Sequence, residues 1–165
     1  MDTLSPLQCI ILLDIYKSIL ACMEALINDP QTENLDVLLV QEPPVTAYRT
    51  HVFHRLWHLY RPTYTDDGTR KRSLIYVNKR ISTSAHRQIL CNHPDVTAVK
   101  IWNEETQMLV FSVYVPPINY CQPVEPVAMQ PTLDEIQACI QGITRSTDKS
   151  TTLTLAGDFN RHHPA

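Results

Sequence analysis

Three strand-like runs in this chain end on residues suited to phosphate chemistry, and each run ends abruptly. In Thr151 to Pro164, TTLTLAGDFNRHHP, polar and apolar residues alternate from Thr152 to Ala156, the period of a half-buried strand. Gly157 then relaxes the backbone, and Asp158 and Asn160 follow two residues apart. In an extended chain that spacing puts both side chains on one side and turns Phe159 into apolar surroundings. A carboxylate can hold or deprotonate a water, and an amide can donate to a phosphoryl oxygen. Asp36 to Val40, DVLLV, is a continuous apolar run, the form of a strand buried on both faces. It ends in Gln41–Glu42 and is cut off by Pro43–Pro44. Met108 to Val115, MLVFSVYV, places Tyr114 just before Pro116–Pro117. Proline cannot donate to a sheet ladder, so each pair marks a strand exit. If the exits share one rim, the chain has a carboxylate cluster with a phenol beside it. Taken alone, the Thr151 to Pro164 stretch reads equally as a polar loop after a strand.

The elements that must carry these exits follow from periodicity. Leu7 to Leu13 reads as a first buried strand, although Ser5-Pro6 could also open a helix. Ile15 to Asn28 bears a helical apolar stripe, and DVLLV follows, giving a β-α-β start with parallel strands. Leu56 to Tyr60 alternates like a strand, Asp66-Asp67-Gly68 reads as a hairpin turn, and Arg70-Lys71-Arg72 begins a returning strand to Val77. Val96 to Trp102 and Met108 to Val115 flank a turn at 103–107, as antiparallel neighbours do. Thr132-Leu133-Asp134-Glu135 is a capping box, opening a helix with its stripe on Leu133, Ile136, Ile140 and Ile143.

At 165 residues and 44% hydrophobic, the chain is one domain, long enough to bury a core. Its net charge of −3 is unevenly spread: −6 over residues 1–45, +6 over 46–80 and −3 over 81–165. The basic stretch is either a phosphate-binding surface or a solvated face. Its aromatics (Tyr48, Phe53, Trp57, Tyr60, Tyr64) suit either base stacking or the core. Arg70, Arg72 and Lys79 are its candidate nucleic-acid contacts, and Arg161 and His162 adjoin the GDFN turn. The remaining histidines show no ligand spacing. Five scattered cysteines without a CxxC pair read as reduced thiols of an intracellular protein, nuclear or cytoplasmic, and not as a disulfide frame or zinc site. Three glycines allow neither a P-loop nor a dinucleotide fingerprint, so no small-molecule cofactor is expected. Residues 7–13 are too short to cross a bilayer, and Asp2 stands where a signal peptide would carry positive charge, so neither membrane association nor secretion is expected.

Gln41–Glu42 within QEPP, Tyr114 within YVPP, and Gly157-Asp158-Phe159-Asn160 within GDFNRHHP resemble the endonuclease/exonuclease/phosphatase superfamily, in particular the endonuclease domains of fungal non-LTR retrotransposons. The resemblance implies a four-layer α/β-sandwich, two packed β-sheets flanked by helices. It also implies a Mg2+-dependent endonuclease, with Mn2+ as a substitute ion, acting on the DNA backbone and linked in a full-length element to a reverse transcriptase domain. Residue by residue, Glu42 would hold the metal, Asp158 would orient or deprotonate the attacking water, Asn160 would position the phosphate and Tyr114 would support the phosphoryl group. The resembled domains end their first strand in an asparagine that helps hold metal and phosphate. Here Ile15-Tyr16-Lys17-Ser18 fits that pattern, and Asp14 stands in the asparagine's place. Asp14 reads equally as a helix N-cap.

A serine-aspartate-histidine segment downstream of GDFN supplies a histidine acid/base in the resembled family, and this chain stops at Ala165. The resemblance therefore implies an incomplete domain over 1–165, impaired in catalysis, with an exposed sheet edge. Two alternatives stand beside the nuclease: a non-catalytic remnant that at most binds nucleic acid, and a phosphomonoesterase of the same superfamily.

Overall fold

The computed structural model describes residues 10–14, 20–44, 53–65, 69–117 and 129–160, with the backbone alone for 12–14 and 129. Several expectations fall on other residues and lie outside the described ones: Leu7 to Cys9 of the first strand, the Tyr16-Lys17-Ser18 pattern, Tyr48, the Asp66-Asp67-Gly68 turn, Arg161 and His162.

Strand β1 (Ile10–Asp14), helix α1 (Leu20–Ile27) and strand β2 (Val37–Gln41) form the expected β-α-β start, and β1 and β2 pair in parallel from Ile10↔Val37 to Asp14↔Gln41. Strands β3 (Trp57–Tyr60) and β4 (Ser73–Asn78) are antiparallel to each other, and β4 pairs with β2 in the order β1-β2-β4-β3. The returning strand begins at Ser73, so Arg70, Lys71 and Arg72 stand in the connection before it. The second sheet takes β5 (His86–Ile89), β6 (Val96–Trp102), β7 (Thr106–Tyr114) and β8 (Ser150–Asp158) in that order. β7 and β8 are parallel, and helix α2 (Met129–Thr144) lies between them in sequence. Both ends of the described chain are thus parallel crossovers, which a helix can span and a tight turn cannot.

Alternation along the strands sorts the side chains into layers. Val37, Leu39, Ile75 and Val77 of the first sheet meet Val99, Ile101 and Val110 of the second in a closed interior. Leu38, Val40, Leu74, Tyr76 and Trp57 face outward onto Met23 and Ile27 of α1. Leu109, Phe111 and Val113 face outward onto Ile136, Cys139, Ile140 and Ile143 of α2. The result is the four-layer α/β-sandwich, held by apolar burial worth about 1.5–3 kcal/mol for each enclosed Val, Leu or Ile. Trp57 adds a polar tie, donating its Nε1–H to the carbonyl of Ile27 at 3.0 Å, where a helix end leaves an acceptor free. Among the described residues no helix is long and apolar enough to cross a membrane.

Two local expectations are corrected. α2 starts at Met129, so Thr132 is an interior, buried residue with its hydroxyl 3.1 Å from His93 Nε2, and not a cap. Pro131 is tolerated because the first helical turn needs no N–H donor there. The stripe also starts later than Leu133, which is 39% exposed, and is carried from Ile136 onward. In β8, Leu153 and Leu155 stay largely exposed, because they stand on the edge strand beside Leu109 and Phe111 rather than between the sheets.

Candidate active site

Both sheets end at one rim. Gln41 closes β2, Ser73 opens β4, and Ser112 and Thr97 occupy the matching ends of β7 and β6. Here the interior turns from apolar to polar. Gln41 Nε2 donates to Ser112 Oγ at 2.6 Å, and the Ser73 and Thr97 hydroxyls are 3.0 Å apart. Buried polar groups are stable when they satisfy one another, so this layer sets the register between the sheets. Above it stand the three exits read from the sequence.

Glu42 follows β2 with φ 47°, left-handed backbone that a residue before proline rarely adopts. Its N–H is held by the Arg72 carbonyl at 2.8 Å. The turn costs about 1–3 kcal/mol and leaves the carboxylate buried, with Oε2 lacking any hydrogen-bond partner. The Tyr114 hydroxyl stands beside the Glu42 carboxylate. Burial first, then that carboxylate, pushes the phenol up to about 12, with Arg72 pulling the other way. The Arg72 guanidinium lies 4.9 Å from the centroid of the Tyr114 ring.

Asp158 is the register partner of Tyr114 at the end of β8, and its carbonyl accepts from Val115 N–H at 2.8 Å. Glycine precedes it by necessity: a Cβ at Gly157 would lie 1.7 Å from the Val113 carbonyl oxygen. β8 can approach β7 this closely only where it has no side chain. Beyond Asp158 the chain curls instead of running on extended. Asn160 has φ 43°, its N–H donates to Asp158 Oδ1 at 2.9 Å, and its amide Nδ2 donates to Asp158 Oδ2 at 2.8 Å and to the Val115 carbonyl at 2.9 Å. Both amide hydrogens are taken, so Asn160 clasps Asp158 rather than offering an N–H to a phosphate. Phe159 does turn into the apolar layer under α2.

The site also contains an acid that sequence reading missed. Asp95, just before β6, is buried, and its Oδ1 lies 3.3 Å from Arg72 Nε, close enough for an ion pair but not aligned as a hydrogen bond. Burial lifts its carboxyl to about 6, against the pull of Arg72 and with Glu42 adding to the rise. Its carbonyl accepts the Tyr114 N–H at 2.9 Å. The only sequence signal was an acid behind His93-Pro94 at a strand entry.

The other expected residues divide. Asp14 ends β1 opposite Gln41, which places its backbone on this rim. Arg70 is exposed and close enough to Asp95 to lower that carboxyl. Lys79 follows β4 at the far end of the sheet and does not join the site, because β4 runs antiparallel to β2. At that far end His86 Nδ1 meets the Tyr60 hydroxyl at 2.6 Å, with the His58 ring 5.2 Å away.

A hard divalent cation takes oxygen ligands, and a buried carboxylate oxygen without a hydrogen-bond partner is an available one. Glu42 Oε2 is such an atom at the rim, and Gln41 Oε1 is a second orphaned oxygen next to it in sequence. The residues therefore fit a hard cation.

The residues around β7, α2 and β8 match a family of endonuclease–reverse transcriptase proteins over 108–165. The fold matches the endonuclease domain of TRAS1, a telomere-specific non-LTR retrotransposon, at TM-score 0.57 and 20% identity, over 93% of this chain and 59% of that one. A truncated TDP2 from Caenorhabditis elegans matches at TM-score 0.57 and 15% identity, over 88% of this chain and 57% of that one. A humanized D. rerio TDP2 carrying 14 mutations matches at TM-score 0.57 and 12% identity, over 93% and 63%. The chain thus spans less than two thirds of the length of these structures. No curated protein matches it in sequence. By fold the chain is similar to these endonuclease and TDP2 structures, and its residues 108–165 match the endonuclease–reverse transcriptase family.

Proposed function

We propose that the chain is a divalent-metal-dependent endonuclease domain of the retrotransposon type that nicks DNA by water attack on a phosphodiester. The observation that supports this reading is the shared rim: Tyr114 stands beside the orphan-bearing carboxylate of Glu42 and is the register partner of Asp158. On this reading three separate strands bring groups of the required chemistry toward one place.

Glu42 would hold the cation, and Asp14, at the neighbouring strand end, would supply a second carboxylate. A bound Mg2+, or Mn2+ in its place, would supply charge neutralisation at the phosphoryl and leaving oxygens. Asp158, fixed by the Asn160 clasp, takes the proton of the attacking water. Tyr114 keeps its proton at neutral pH and donates it as a hydrogen bond to the phosphoryl group. Arg72 and Arg70 supply positive charge beside the scissile phosphate, and Arg161 and His162 extend that contact along the DNA backbone.

Nicking of supercoiled plasmid tests the proposal. Mg2+-dependent nicking by this chain, or by a version extended past Ala165, should be abolished by EDTA and lowered by at least about 10^2-fold in Asp158→Ala. An undiminished nicking rate in Asp158→Ala removes this site from the reaction. Release of phosphate from inositol phosphates without any DNA cleavage would assign the site to phosphomonoesters instead.

A further inference from the structure

A second group of ligand-bearing side chains lies away from the rim. Cys91 stands in the connection leaving β5, and Glu135 and Cys139 lie one turn apart on α2. The Sγ atoms of Cys91 and Cys139 are 3.3 Å apart, and Cys139 Sγ is 3.6 Å from Glu135 Oε1. One ligand atom from each of the three lies within 4.8 Å of the others. The surrounding backbone is fixed. Asn92 N–H donates to Glu135 Oε1 at 2.6 Å, and Thr63 Oγ1 accepts from Cys91 N–H at 3.0 Å while donating to the Cys91 carbonyl at 2.9 Å. Cys91 is buried, but Cys139 and Glu135 are only partly so, which leaves an ion and a water a way in.

The distances discriminate between the two things such a cluster can do. A disulfide needs its sulfurs at about 2.05 Å, more than an ångström closer than they are. A tetrahedral zinc-class cation has bonds of about 2.3 Å to sulfur and about 2.1 Å to oxygen, so its ligand–ligand edges run to about 3.6–3.8 Å. The sulfur–oxygen edge already has that length, and a small side-chain rotation opens the sulfur pair. We propose that Cys91, Cys139 and Glu135 bind a thiophilic divalent cation of the zinc class, with water completing the tetrahedron. Both thiols release their protons on binding. Thiolate ligands select such an ion over Mg2+, so this centre and the rim draw on different metals. The cation ties α2 to the connection between β5 and β6, which four residues after Cys91 carries Asp95.

Titration of the reduced full chain with Co2+ tests the site, because sulfur-to-cobalt charge transfer absorbs strongly and reports thiolate ligation directly. The expected result is a saturable band at one cation per chain, erased by Zn2+ and unaffected by excess Mg2+. Cys91→Ser and Cys139→Ser should each weaken binding, and Glu135→Gln should keep the band while lowering affinity roughly tenfold or more. Cys22→Ser, at an exposed position of α1, should change nothing. If Cys91→Ser does not fold, Cys139→Ser and Glu135→Gln on the partly exposed helix face carry the test. A reduced chain that gives no thiolate band overturns the proposal, as does a band of unchanged intensity and affinity in Cys139→Ser. So does a Cys91–Cys139 disulfide formed with peroxide in a chain that, when reduced, leaves cobalt unbound.

Discussion

Arg72 places its Nε 3.3 Å from Oδ1 of the buried Asp95, and the same guanidinium lies over the ring of Tyr114. Asp95 in turn holds the Tyr114 N–H through its carbonyl. In the proposed reaction Asp95 would therefore be a positioning residue, acting on the phenol and the arginine rather than on a substrate. Its ionisation has a cost that stability measurements can read. Burial raises the carboxyl from 3.8 to about 6, so between those pH values the folded chain keeps a proton that the unfolded chain gives up. The stability from this group is whole below pH 3.8 and lost as pH rises through about 6. That loss amounts to at most about 3 kcal/mol. Asp95→Asn should remove this downward component, and denaturant midpoints taken across the range check it. Parallel pH profiles for the two proteins would refute the assignment.

Asn160 and Asp158 act as one unit, because both carboxylate oxygens accept from Asn160. Asp158→Ala should lower nicking by about 10^2–10^4-fold, the usual worth of a positioned base. Asn160→Gly suits the left-handed backbone at φ 43° and removes only the amide clasp. It should therefore reduce the nicking rate while shifting the melting temperature little, whereas Asn160→Ala should lower both. Equal rates for wild type and Asn160→Gly would show that Asp158 needs no clasp.

The sequence made some of this legible and hid the rest for identifiable reasons. DVLLV stood out because a strand buried on both faces is continuously apolar, MLVFSVYV because it is rich in β-formers, and the proline pairs after them marked where Glu42 and Tyr114 emerge. Gly157 before Asp158 was visible as a break in alternation. The Asn160 clasp was not, because two residues of spacing imply a shared side only while the chain stays extended, and a positive φ ends that. Asp95 was hidden because its importance comes from burial beneath Arg72, a contact between residues on different sheets. Cys91 and Cys139 looked scattered for the same reason: the fold, not a local motif, brings them together.

Gly157 offers a test of the fold at the site itself. A methyl group there would sit 1.7 Å from the Val113 carbonyl oxygen, which belongs to backbone and cannot rotate away. Gly157→Ala must therefore push β8 off β7 just where Asp158 emerges. The expected cost is about 1–3 kcal/mol or more, with nicking lost out of proportion to stability because Asp158 moves. Gly142→Ala, with nothing within 4 Å of the added carbon and a site on α2, should instead be neutral or stabilising. Chemical denaturation of the two variants side by side separates a tight backbone approach from a general intolerance of alanine.

Tyr114 decides whether the phenol serves as a donor or as a proton carrier. Burial and the neighbouring Glu42 carboxylate hold it up to about 12, so it stays protonated across any pH at which DNA cleavage is assayed. Ultraviolet titration of tyrosinate should then show Tyr114 ionising well after exposed tyrosines, and Tyr114→Phe should delete that late step. A raised pKa also makes the folded state the better proton holder, so the stability Tyr114 contributes is intact below pH 10 and lost toward about 12. Tyr114→Phe should lower nicking by about 10^2–10^3-fold, the worth of one donor to a developing anion. It should do so without moving the alkaline limb of the rate profile, because a group protonated throughout cannot set it. If the alkaline limb shifts in Tyr114→Phe, the phenol is titrating during turnover, and its place is in proton transfer rather than in holding the phosphoryl oxygens.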